Sequence, residues 1–76
     1  MTLYEFNLLD LNERIEAVNK LATFLDNHAT KSERCNLYAL DRFFVEVVYN
    51  PTTNKITDAH SFKTGYLLDK YSSYFK

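Results

Sequence analysis

Residues 43–49 read FFVEVVY, and no other stretch restricts the fold of this chain as strongly. Val, Phe and Tyr suit a pleated, half-buried surface. Side chains alternate between the two faces of a strand. Phe43, Val45, Val47 and Tyr49 therefore share one face, and Phe44, Glu46 and Val48 the other. The first set is wholly apolar and needs a covering layer. The second holds a carboxylate between two apolar neighbours, so its character depends on what stands opposite Glu46.

The flanking segments supply the rest of a sheet. NPTTNK, residues 50–55, is made of turn residues. ITDAHSF, residues 56–62, predicts a further strand. KSERCNLYAL, residues 31–40, is read as the strand before the central one, because a hairpin needs a first arm. Thr30 and Glu33 nevertheless have the spacing of a helix cap.

The first third predicts helices. Thr2-x-x-Glu5 and Asp10-x-x-Glu13 each have the spacing at which a cap side chain and a glutamate satisfy one another's orphan amides. A short helix near residues 3–8 then precedes a longer one. In the longer helix Leu11, Ile15, Val18, Ala22 and Leu25 recur at helical spacing, with Glu13, Arg14, Glu16, Asn19 and Lys20 on the other side. DNHATKS, residues 26–32, loses the period and is expected to be an exit loop. Thr64 is placed to cap a final helix carrying Leu67, Leu68, Tyr71, Tyr74 and Phe75.

The expected fold is α+β in the order α-α-β-β-β-α, a three-stranded antiparallel meander with helices packed on the sheet. Seventy-six residues are expected to form one domain, residues 1–76. A chain this short buries roughly 60% of its unfolded surface. Six Phe and six Tyr answer that shortage, since each brings a large apolar area. The same residues favour interfaces.

Parity decides the pairing. With Asp41 and Arg42 as a two-residue turn, Leu40 pairs with Phe43, Tyr38 with Val45 and Asn36 with Val47. Asp-Arg suits a type I′ turn poorly, because Arg disfavours positive φ. For the second hairpin, pairing Tyr49 with Ile56 sets Asp58 opposite Val47 on the apolar face, at a cost of several kcal/mol if unpaired. Pairing Asn50 with Ile56 instead sets Glu46 opposite His60 and Phe44 opposite Phe62. The two alternatives exclude each other, since a one-residue slip turns every side chain to the other face. The second is favoured, with Thr57, Ala59 and Ser61 toward the helices. The face away from them then carries Leu37, Phe44, Glu46, Val48, Ile56, His60 and Phe62, half of it apolar. Either the C-terminal helix covers that face, or a second copy or a protein partner does, which makes it the candidate interaction face.

Chemistry is sparse. Nine basic and ten acidic residues give a net charge of −1, and the basic ones are spread along the chain. Nucleic-acid binding is therefore not expected; the alternative requires Arg34, Arg42 and Lys55 to gather into a patch. Cys35, His28 and His60 lack metal-site spacing. One glycine leaves no phosphate loop. Glu46, Asp58 and His60 form the one cluster able to hold a metal or share a proton, against the ordinary reading of a hydrogen-bonded surface pair. Neither catalysis nor a cofactor is expected. A single cysteine, the absence of a basic n-region, the early Glu5 and the lack of a long apolar run lead to the expectation of a cytoplasmic protein without a membrane span.

TLYEFNLLDLNERIEAV, LYALDRFFVEVVYN and NKITDAHSF, with the acidic residue inside the Phe43–Val47 run, resemble a family of small uncharacterised bacterial proteins often encoded on conjugative elements of gut anaerobes. The resemblance spans about residues 2–70. Similar members carry Asp-Gly where this chain has Asp41-Arg42. The resemblance implies a cytoplasmic accessory role in mobile-element biology and assigns no site residue.

Overall fold

A computed structural model describes residues 1–63. The described elements are α1 (Leu3–Asn7), α2 (Leu11–Leu21), β1 (Thr23–Ala29), β2 (Arg34–Leu40), β3 (Phe43–Tyr49) and β4 (Ile56–Phe62). The strands form an antiparallel sheet in the order β1-β2-β3-β4. The fold is thus α+β, with two helices and four strands among the described residues. The expected final helix lies outside them.

Both capping boxes form. Thr2 Oγ1 accepts from the Glu5 amide at 3.1 Å, and Glu5 Oε1 accepts from the Thr2 amide at 2.7 Å. Asp10 and Glu13 repeat the exchange at 2.8 and 3.0 Å. Each box satisfies two amides that a helix start leaves without partners.

The expectation for residues 23–32 is corrected. α2 stops at Leu21, and its cap Ala22 is already extended (φ −93°, ψ 156°). Residues 23–29 are not helix end and loop but a fourth strand, which pairs along β2. Asp26 and Asn27 favour turns in isolation. The backbone edge of β2 offers them ladder partners, and that pairing outweighs local preference. The register slips by one between Phe24 and Asp26, leaving Leu25 as the extra residue of a bulge. Leu25 matches the helical period only by coincidence, and it packs with Leu37, Phe44 and Phe62. The Thr30–Glu33 spacing serves a turn: Thr30 Oγ1 accepts from the Glu33 amide at 3.1 Å, and the Thr30 amide donates to the Glu33 carbonyl at 2.8 Å.

The β2–β3 register is the expected one, with Leu40–Phe43, Tyr38–Val45 and Asn36–Val47 paired. In the turn only Asp41 has positive φ (54°), so Arg42 is spared the conformation a type I′ turn demands. In the β3–β4 ladder Phe44–Phe62 and Glu46–His60 pair as expected, but Tyr49, not Asn50, pairs with Ile56. The two registers that seemed exclusive occur in succession. A bulge between Val48 and Tyr49 switches from one to the other and leaves Thr57 without a ladder partner. Thr57 Oγ1 then donates to the Val48 carbonyl at 3.2 Å. Asn50 and Asn54 shape the loop. Asn50 Oδ1 accepts from the Thr52 amide at 2.8 Å, and Asn54 takes positive φ (58°).

The two helices pack on the face carrying Phe43, Val45 and Val47. Phe6, Ala17, Val18, Leu40 and Ala59 complete that core, and Tyr49 borders it. The Phe6 and Phe43 rings lie 5.6 Å apart. Arg14, expected on the solvent side of α2, is instead turned toward α1 and β4. Its Nε donates to the Leu9 carbonyl at 3.0 Å, Nη1 to the Ala59 carbonyl at 2.9 Å and Nη2 to the Asn7 carbonyl at 3.0 Å. The guanidinium also sits over the Phe6 ring, 5.5 Å from its centroid. One side chain so ties α1, the α1–α2 link and β4 together.

Candidate functional site

The β3–β4 register builds the cluster that the sequence singled out. Glu46 and His60 stand opposite one another, and Asp58, two residues before His60, shares their face. His60 lies between the two carboxylates: Nε2 is 2.9 Å from Glu46 Oε1 and Nδ1 is 3.0 Å from Asp58 Oδ2. Asp58 is held in turn by the Ala59 amide, 2.8 Å from Oδ1. Burial is graded across the cluster, with side-chain exposures of 2% for Glu46, 35% for His60 and 57% for Asp58.

The geometry favours an imidazolium. A neutral imidazole has one N–H and one lone pair, so one of its two carboxylate contacts would set acceptor against acceptor. The protonated ring donates to both. The hydrogen bond to Glu46 accordingly raises the His60 pKa above 6.5, partial burial opposes the rise, and Asp58 reinforces it. Asp58 moves below its ordinary value, chiefly through its hydrogen bond to His60. The arrangement suits a ring that donates to both carboxylates at once. A general base needs a free ring lone pair, and a metal needs donors that converge on one point. Here the carboxylates occupy opposite edges of the ring. Among the described residues no group of three His, Cys, Asp or Glu side chains is arranged to hold a metal ion.

The wider candidate interaction face divides. Leu37 and Glu46 are fully buried and Phe62 nearly so. Leu37 and Phe62 form a small second core with Leu25 and Phe44, in which the Phe44 and Phe62 rings stack 5.7 Å apart. Val48 and His60 are partly exposed. Ile56 does not belong to this face. The bulge turns it to the helix side, where it packs on the main core. Cys35 is also buried.

The basic residues named for a nucleic-acid surface do not gather. Arg34 pairs with Tyr49 at one end of β3, sits over its ring and donates to Asn54 Oδ1 at 2.6 Å. Lys55 follows in the same loop region. Arg42 precedes Phe43 at the other end, about 20 Å away at the rise of an extended strand.

Two features escaped the sequence reading. Tyr4, Leu8, Leu21 and Phe24 are large apolar residues that remain exposed, at 77%, 87%, 59% and 53%. A signal was present for α1: Tyr4 and Leu8 are four apart and share a face, while Phe6 points elsewhere into the core. The second feature is a cleft of about 550 Å³ between the start of α1 and the β2–β3 turn, lined by Leu3, Asp41, Arg42, Phe43 and Lys63 among others. A smaller cleft of about 280 Å³ lies along α2, with Leu9, Ala17 and Leu21 in its wall. Neither cleft is lined by Glu46, Asp58 or His60.

The chain matches no family model, no curated protein and no solved structure. No helix among the described residues is long and apolar enough to cross a membrane.

Proposed function

We propose that this chain is a small non-enzymatic protein-interaction module that docks a partner protein through its helical side. The supporting observation is the exposure of Tyr4, Leu8, Leu21 and Phe24. Tyr4 lies on α1, Leu8 caps its C-terminal end, Leu21 closes α2, and Phe24 stands across from Tyr38 on the helix-facing side of β1. The sheet face expected to dock instead keeps Leu37 and Glu46 wholly inside the chain. That burial favours the helices over the sheet as the docking surface in this reading. Burying one such side chain in an interface contributes roughly 1.5–3 kcal/mol, and aromatic anchors contribute most at interface centres. The resemblance of the sequence to mobile-element proteins adds a cytoplasmic accessory role to this reading.

Capture from a native-host lysate tests it, with bound proteins compared between the unaltered chain and the Leu8→Glu/Leu21→Glu double variant. Both positions are exposed, so the melting temperature of the variant is expected to match. The reading requires at least one protein to be captured by the unaltered chain and lost by the variant. Identical capture by both sinks it. Light scattering across a concentration series shows whether the partner is a second copy.

A further inference from the structure

We propose that the cleft between the start of α1 and the β2–β3 turn receives an acidic peptide segment of the partner. This rests on the interaction-module reading and names the chemistry of one contact. Arg42 lies in the β2–β3 turn and Lys63 just after β4, and they line the same opening. Phe44 pairs with Phe62, so one further step of that ladder brings Lys63 alongside Phe43, next to Arg42.

Neither the Arg42 guanidinium nor the Lys63 ammonium has a hydrogen-bond or ion-pair partner among the described residues. Three other cations among the described residues are committed: Arg14 to three carbonyls, Lys20 to Glu16 and Arg34 to Asn54. Asp41, the one acidic residue lining the cleft among the described residues, already accepts from the Met1 amino group. Two positive charges without a partner among the described residues therefore line a recess whose wall also includes Leu3 and Phe43. A guanidinium takes a carboxylate through two parallel N–H donors, and a lysine adds a second, mobile charge. The apolar wall suits the stem of a Glu or a neighbouring apolar side chain. A peptide with alternating acidic and apolar residues satisfies both demands, whereas a bare inorganic anion uses only the charges.

The test is a fluorescence-anisotropy titration with a labelled Glu-Leu-Glu-Leu-Glu peptide, its Gln-Leu-Gln-Leu-Gln counterpart, and inorganic phosphate as competitor. Amide shifts by NMR locate the site. The acidic peptide is expected to bind, to shift amides at Leu3, Arg42, Phe43 and Lys63, and to weaken as salt rises. Arg42→Gln/Lys63→Gln is expected to weaken it about tenfold or more, and Arg42→Lys by a smaller factor, since the charge remains and the fork is lost. Asp41→Asn removes a negative charge from the cleft wall and still tolerates positive φ, so it is expected to tighten binding. Absence of binding overturns the proposal, as does equal binding by the neutral peptide or by the double variant. Displacement by millimolar phosphate overturns it in favour of a small-anion site. Leu8→Glu/Leu21→Glu is expected to leave peptide binding unchanged. The acidic-peptide proposal thus fails on the peptide, and the interaction module fails separately on the capture experiment.

Discussion

The two faces of this sheet are held by different physics. On the helix side Phe6, Phe43, Val45 and Val47 are buried to 2% exposure or less and interlock with α2 through Ala17 and Val18. That attraction is non-directional and carries no charge. On the opposite side the apolar cluster among the described residues is Leu25, Leu37, Phe44 and Phe62, and beside it Glu46, His60 and Asp58 depend on distance, orientation and a proton. The comparison teaches that a short chain can bury a carboxylate when a cross-strand partner meets it.

Truncating the helix-side core tests the comparison most strongly. Phe6→Ala or Phe43→Ala is expected to cost about 3–5 kcal/mol in urea unfolding. The loss should be the same at pH 5 and pH 8. A loss that changes with pH would show that the faces are coupled.

Arg14→Ala comes next. Three carbonyls lose their donor and Phe6 loses its cationic cover. The expected cost is about 2–3 kcal/mol. Arg14→Lys is expected to recover less than half of that, since one ammonium cannot reach three divergent acceptors. Full recovery with lysine would mean that charge alone matters at this site.

His60→Gln sharpens the other side of the comparison. A cost of about 1–2 kcal/mol is expected near pH 6, from the loss of a charge-assisted contact to a buried carboxylate. The pH dependence has a definite sign. The folded His60 pKa lies above 6.5, so its contribution is complete below that value and fades as pH rises through the raised pKa. The folded Asp58 pKa lies below 3.8, so its contribution is complete above that value and fades as pH falls through the lowered pKa. The melting temperature should therefore carry a broad maximum between these limits and decline on the alkaline side, and His60→Gln should remove the alkaline decline. A profile unchanged by the substitution would refute the assignment.

The smallest effect is expected for the Glu16–Lys20 pair, 2.7 Å apart on the exposed face of α2. Lys20→Ala should leave the melting temperature unmoved at physiological salt, because water screens both groups. The contrast with His60 isolates what burial of one partner adds.

Legibility in the sequence followed the range of the interaction. The two capping boxes span three residues each and were readable as motifs. The β2–β3 pairing and the Glu46–His60 contact followed from parity, because the chemical cost of the wrong face was large. β1 was not readable. Asp26 and Asn27 carry turn chemistry, and their ladder partners lie in a strand that comes later. The bulge at Tyr49 was missed for a related reason: a register argument assumes one offset, whereas an extra residue allows two. Ile56 changed faces as a result. Arg14 was placed by helical periodicity alone, which gives the side of α2 it leaves from but not the carbonyls that a long side chain reaches.

By itself the sequence determined the helix starts, the central strand, the order of its two hairpins and the meeting of Glu46 with His60. Each depends on local spacing or on the strict alternation of an extended chain. Only the tertiary structure decided that residues 23–29 form a strand, that the registers change at a bulge, that Arg14 clasps three segments, and that Arg42 and Lys63 share one cleft. These outcomes depend on backbone groups and side chains distant in sequence finding partners in space, and no local pattern carries that information.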